Sequence, residues 1–251
     1  LDLLAFAMVN GKEVIVSLSI AFGNTMESLA CFWLFKQYTK PNQVLEDNAK
    51  LMVWCVCVVV ACGISASIGV FSLTSSGFLP TSLASTVWFI WHLGDVTGTL
   101  ILMPVLWSWW HSFRNPDEKT LIPSVMTSAT TLTLALLSAM IFLELFAIDF
   151  LTHQAFILVP AVFYLAMTLP SNWASLNILL ISSIAIIGTT SNLGPFSREA
   201  QSESLVLIQS YVAMLSVVAI LVSNLLKELL ASKLALEEAN NRLALQNDKL
   251  E

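Results

Sequence analysis

Apolar residues in this chain come in long blocks, and polar residues gather in short stretches between them. After an apolar opening, LDLLAFAMV, seven blocks follow at about residues 12–36, 51–75, 82–110, 127–149, 154–168, 173–192 and 203–228. A helix needs roughly 20 apolar residues to cross a hydrocarbon core of about 30 Å. The pattern therefore predicts an all-α fold, a polytopic transmembrane helix bundle with seven full spans. The block at 154–168 is short, and the Pro170-Ser171-Asn172 turn after it predicts a tight helical hairpin with the next block; a re-entrant segment is the alternative. LDLLAFAMV is too short to span and reads as the end of a partial first helix, which would make eight spans originally. No charged leader or small-residue cleavage site precedes it, as a signal peptide would require.

Past residue 228 the pattern changes to KELLASKLALEEANNRLALQNDKLE. Leu229, Leu236, Leu243 and Leu250 recur every seven residues, and the other seam position holds Leu225, Ser232, Ala239 and Gln246. A leucine at every seventh position with charged flanks predicts a coiled coil, here a parallel homodimer. The chain thus divides into a transmembrane domain, 1–228, and a coiled-coil helix, 229–251, leading toward a further domain. Neither Pro nor Gly interrupts the passage between them, so one helix should run from the bilayer into the tail.

Composition agrees with the pattern. Hydrophobic residues make up 57% and charged residues 11%, against about a quarter charged in a soluble domain. The formal net charge is −6, with no basic run to meet a phosphate backbone, which excludes a nucleic-acid partner. Lysine and arginine set the orientation: Lys36, Lys40, Lys50, Arg114 and Lys119 fall in two alternate loops, while the opposite loops offer only Lys12 and Arg198. The richer side is expected in the cytoplasm, together with the C-terminal tail. Trp107, Trp109 and Trp110, beside His111 and Arg114, mark the same interface. Cys31, Cys55, Cys57 and Cys62 lie within apolar blocks and read as small packing residues.

Against this background the intramembrane acids stand out, because an aspartate at a helix centre costs roughly 2.5–3.5 kcal/mol on insertion scales. Asp95 lies in WFIWHLGDVTGTLILMP. His92 is three residues before it and shares its helix face, and Gly94 and Gly98 form a small-xxx-small pair suited to close helix packing. Glu27 lies in FGNTMESLA, with Asn24 and Gly23 on the same side of the helix. These two polar stripes predict that Glu27 and Asp95 face the bundle interior, either as a ligand-binding polar core or as a structural contact. Glu144 and Asp149 are expected at the outer edge, in ordinary interfacial solvation. His92, His111 and His153 have no metal-like spacing, and no phosphate loop, nucleophile elbow or zinc motif occurs, so neither a metal, a cofactor nor a catalytic residue is expected.

The segments FGNTMESLACFWLF, WFIWHLGDVTGTLILMPVLWSWW, a span bearing Pro160, NLGPF and the last span with its helical continuation together resemble the first type of the bacterial membrane-associated sensor (MASE) family. The matching positions are Gly23, Asn24, Thr25 and Glu27; Leu93, Gly94, Asp95, Gly98 and Pro104; and Gly194, Pro195 and Phe196, over about residues 1–228. His92 stands where the family more often has an aromatic residue. The resemblance implies a sensory input module in a bacterial inner membrane, joined to a histidine kinase or diguanylate cyclase, with a small molecule or a membrane protein as its signal. A transporter or channel with an acidic polar path is the alternative reading of the same residues, although no internal repeat or paired broken helices support it.

Overall fold

A computed structural model describes residues 11–38, 48–114, 122–146 and 154–247. Every regular element among them is helical. The helices are α1 (Gly11–Tyr38), α2 (Asn48–Ser75), α3 (Ala84–Arg114), α4 (Val125–Phe142), α5 (Leu158–Thr168), α6 (Ser171–Thr190) and α7 (Gln201–Asn247). Short 3₁₀ turns, Thr81–Leu83 and Ala155–Ile157, lead into α3 and α5. Residues 1–10, with the expected partial span, lie outside the described residues, as do Lys40, Lys119, Asp149, His153 and Leu250.

By length and composition, six of these helices can cross a membrane. The fifth expected span is shorter: the apolar helical segment Ala155–Thr168 is about 10 Å short of a 30 Å core at 1.5 Å per residue. Leu158, Val162 and Leu165 on its inner face are fully buried, while Phe163, Tyr164 and Met167 point outward. Its main neighbour is α7, and it meets α6 less extensively despite the short Pro170 connection between them.

The fourth helix ends at Phe142, well before the expected residue 149. Glu144 then takes a left-handed backbone, φ 53°, and its Oε1 accepts a hydrogen bond from the Gly194 amide at 2.9 Å. Gly194 is itself left-handed, φ 78°, and a Cβ there would stand 3.0 Å from the Phe142 carbonyl oxygen. Helix α4 stops there because Glu144 is recruited to the turn that carries Asn192, Gly194 and Pro195. Glu144 is therefore a tie between two chain segments, in addition to any interfacial solvation.

Two apolar cores fill the bundle. One joins α4, α5 and α6 to the first half of α7 through residues such as Phe142, Leu158, Ile181, Tyr211 and Leu215, and reaches α3 at Ile101. The other joins α1, α2 and α3 through Phe35, Leu51, Trp54, Val58 and Leu100, and reaches α7 at Ile220. Helix α7 thus belongs to both. Directional contacts supplement the packing: Tyr211 donates from its hydroxyl to the Ala155 carbonyl at 2.6 Å, and Asn177 Nδ2 donates to Thr131 Oγ1 at 3.0 Å. Such interhelical bonds in membranes average about 0.6 kcal/mol.

Beyond the bundle α7 continues unbroken to Asn247, so the expected single helix from span to tail is present. Leu229 and Leu236 are 65% and 63% exposed on it. Leu243 lies further along the same helix.

Candidate functional site

The two polar stripes meet on α2. Small residues allow this: a Cβ added at Gly23 of α1 would lie 3.3 Å from Ile68 and 3.5 Å from the Ser65 backbone, so the two helices approach closely. That closeness lets Ser65 Oγ donate to Asn24 Oδ1 at 2.7 Å and Cys62 Sγ donate to Glu27 Oε1 at 3.2 Å. Cys62 and Ser65 are three apart on one face of α2, as Asn24 and Glu27 are on α1. Each α1 acceptor meets one α2 donor.

Helix α3 packs on α2 as well. Trp91 lies over Gly69, where an added Cβ would be 2.6 Å from the indole ring. Trp88 Nε1 donates to Ser67 Oγ at 3.0 Å. These two indoles seat α3 so that Asp95 is turned toward Ser65, Glu27 and Trp91. Glu27 and Asp95, 68 positions apart in the sequence, are thereby brought together, both half-buried.

His92 has a different neighbour. Its ring stacks on Trp88 with centroids 4.9 Å apart and 13° between planes. His92 Nδ1 and Asp95 Oδ2 are both buried with no hydrogen-bond partner among the described residues, so the shared helix face does not pair these two atoms. A buried polar atom left unpaired costs free energy unless something satisfies it.

The two glycines of α3 also part company. A Cβ at Gly94 would be 3.0 Å from Gln209 Nε2 of α7, which makes Gly94 a helix-packing position. At Gly98 an added Cβ meets nothing within 4 Å, so the expected packing contact there is absent among the described residues. Gly98 instead lines an open groove of about 800 Å³ between α1 and α3, together with Asn24, Glu27, Gly94, Asp95 and Thr99. Trp107 and Trp110 lie toward one end of it. The volume is within the range of small-molecule sites.

One turn along, Thr97 Oγ1 donates to Leu93 O at 2.6 Å and to Gln209 O of α7 at 3.3 Å. Asp95 therefore has the α1–α2 stripe on one side of its helix and the seat of α7 on another. Ser65, Thr97 and Gln209 escaped the reading of the sequence, and Cys62, expected only to pack, also donates to Glu27. The small-residue run GISASIG held the signal for Ser65, and the lone amide in LVLIQSYV the signal for Gln209. Among the described residues no group of three or more His, Cys, Asp or Glu could hold a metal ion.

Comparison with known families decides the membership. The MASE1 family profile matches residues 3–229, nearly the whole transmembrane portion. This chain belongs to the MASE1 family. Its bundle is accordingly a membrane-embedded sensory domain in contact with the lipid bilayer. No curated protein and no solved structure matches the chain. The MASE1 match ends at residue 229, while α7 runs on to Asn247.

Proposed function

We propose that this MASE1 domain is the input half of a bacterial inner-membrane receptor that passes its signal along α7 to a cytoplasmic output domain. The observation that carries this reading is the seat of α7 on α3 beside Asp95, in a helix that continues unbroken for 47 residues. A signal shifts output only through different affinities for two arrangements of the bundle. In this proposal Asp95, Glu27, Asn24 and His92 are the polar core that a ligand or a membrane partner biases. Gly94 and Gly23 hold the helices close enough for the bias to reach α7. Leu229, Leu236, Leu243 and Leu250 then join two copies so that α7 moves as a pair. A parallel pair aligns two output domains, as a histidine kinase or a diguanylate cyclase requires. The lysine-rich and arginine-rich loops support a cytoplasmic C-terminus.

Asp95→Asn in the full-length receptor, with membrane insertion checked by fractionation, tests the polar core. Output is expected to change in the presence of signal while the amount inserted does not. Unchanged signalling would assign Asp95 to structure alone. The groove of about 800 Å³ also suits a transported molecule, and uptake into proteoliposomes would favour that second reading.

A further inference from the structure

Helix α7 carries an apolar stripe that its own bundle leaves open. Leu207, Ser210 and Met214 stand three and four residues apart, and the triplet recurs eleven residues on as Val218, Leu221 and Leu225, and again as Leu229, Ser232 and Leu236. An 11-residue repeat runs at about 3.67 residues per turn, so on a nearly straight helix the three triplets lie along one line. Within the bundle Leu207 and Met214 are 37% and 38% exposed on that line, Ser210 is exposed, and Val218 and Leu221 are half-buried. Leu225 is 60% exposed where the bundle ends.

The other sides of α7 are occupied. Ile208, Val212 and Leu215 fill the core shared with α4, α5 and α6. The Tyr211 hydroxyl donates to the Ala155 carbonyl, and Gln209 lies against Gly94 of α3. Past the bundle, every residue from 231 to 242 is exposed. The charges of that stretch pair along other faces, Lys233 with Glu237 at 3.9 Å and Arg242 with Glu238 at 3.6 Å, so Leu229, Ser232 and Leu236 form an uncharged strip in a polar segment. Leu225, Leu229, Ser232 and Leu236 are also the first positions of the leucine seam. The stripe in the bundle and the seam in the tail are therefore one surface.

We propose that a second copy of this chain covers the whole stripe, so that two α7 helices run side by side through the bilayer as well as along the tail, meeting at Leu207, Ser210, Met214 and Leu225. The inference rests on the reading of the tail as a parallel pair and extends that contact into the membrane. Apolar side chains have little drive to associate in lipid, and small residues such as Ser210 let helices approach. A paired tail supplies the drive, because it makes the membrane contact intramolecular, at high effective concentration. Gln209 stands about 150° round α7 from Leu207 and Met214. Helix α7 is thus held between α3, beside Asp95, and its own copy, and a shift of α3 reaches the dimer contact inside the bilayer.

Disulfide cross-linking of the full chain in native membranes tests the contact, because facing cysteines on two closely packed helices come within reach of each other. On oxidation Leu207→Cys, Met214→Cys and Leu225→Cys should each give a covalent dimer at several times the background of the parent chain with its four native cysteines. Leu229→Cys and Leu236→Cys should do the same in the tail. Leu132→Cys, on α4 at a position 72% exposed, should stay at background. Dimers at Leu229→Cys and Leu236→Cys with only background at Leu207→Cys and Met214→Cys would overturn the membrane contact and leave the paired tail standing. Background at all five α7 positions would remove both. A yield at Leu132→Cys equal to that at Met214→Cys would mark random collision and would also overturn the contact.

Discussion

At the scale of single residues, the same residue type does opposite things on neighbouring helices. Gly69 and Gly98 are both small residues on helices that border the Asp95 site, yet only Gly69 has a ring pressed against it. Gly69→Ala should force Trp91 off its seat and destabilise the bundle by about 1–3 kcal/mol, read as a lower midpoint in denaturant titration of the detergent-solubilised protein. Gly98→Ala should stay within about 0.5 kcal/mol, since its methyl enters the open groove; a loss as large as that of Gly69→Ala would mean that another helix or a second copy fills the groove. Asp95 itself was legible in the sequence as a misplaced charge. Its partner was not: i to i+3 spacing pointed to His92, whereas the fold gives His92 to Trp88 and turns Asp95 toward Ser65 and Glu27. Spacing along one helix determines which side chains share a face, but what lies opposite that face is set by the helices packed against it.

At the scale of elements, α7 is the helix on which the functional reading depends. Its continuity was legible, because nothing in the run through KELLASKLALEE breaks a helix. Inserting one residue between Glu228 and Leu229 turns everything beyond it by about 100° relative to the bundle. Inserting seven restores the phase of the leucine seam. In a full-length receptor the first insertion should uncouple output from signal and the second should largely preserve it, measured as phosphotransfer or cyclic-dinucleotide synthesis. Equal behaviour of the two would rule out a phase-dependent helix connection. The end of α4 was less legible. Hydropathy carried α4 on through LELFAID, but Glu144 leaves the helix to bind the Gly194 amide fifty residues later, a contact that no local pattern announces.

At the scale of the whole molecule, two cores share α7 and also meet on α3, through Ile101 in one and Val96 and Leu100 in the other. Phe142 and Trp54 lie in different cores, at 0% and 4% exposure. Phe142→Ala should cost about 3–5 kcal/mol. Because α3 and α7 are common to both cores, unfolding followed at each is expected to shift together. Tryptophan fluorescence, which reports mainly on α1–α3, and helicity by circular dichroism should show one coincident transition in mixed micelles. Separate transitions would show that α1–α3 and α4–α6 are independent units and that a signal at Asp95 has no packed route to the α4–α6 half.

The sequence by itself determined the class of fold, since blocks of apolar residues about 20 long have few solutions other than membrane helices, and backbone polar groups in lipid must be satisfied within the helix. It also determined that acids lie inside those blocks and that the last helix runs on into a leucine-spaced tail. Tertiary structure alone decided that Glu27 and Asp95 meet over Ser65, that Gly94 and Gly98 have different roles, and that α7 rests on α3 beside the acid. The physical reason is range. Hydropathy and helical phase are properties of neighbouring residues in one chain segment, while a hydrogen bond between α1 and α2, or an indole over Gly69, depends on how closely two helices approach.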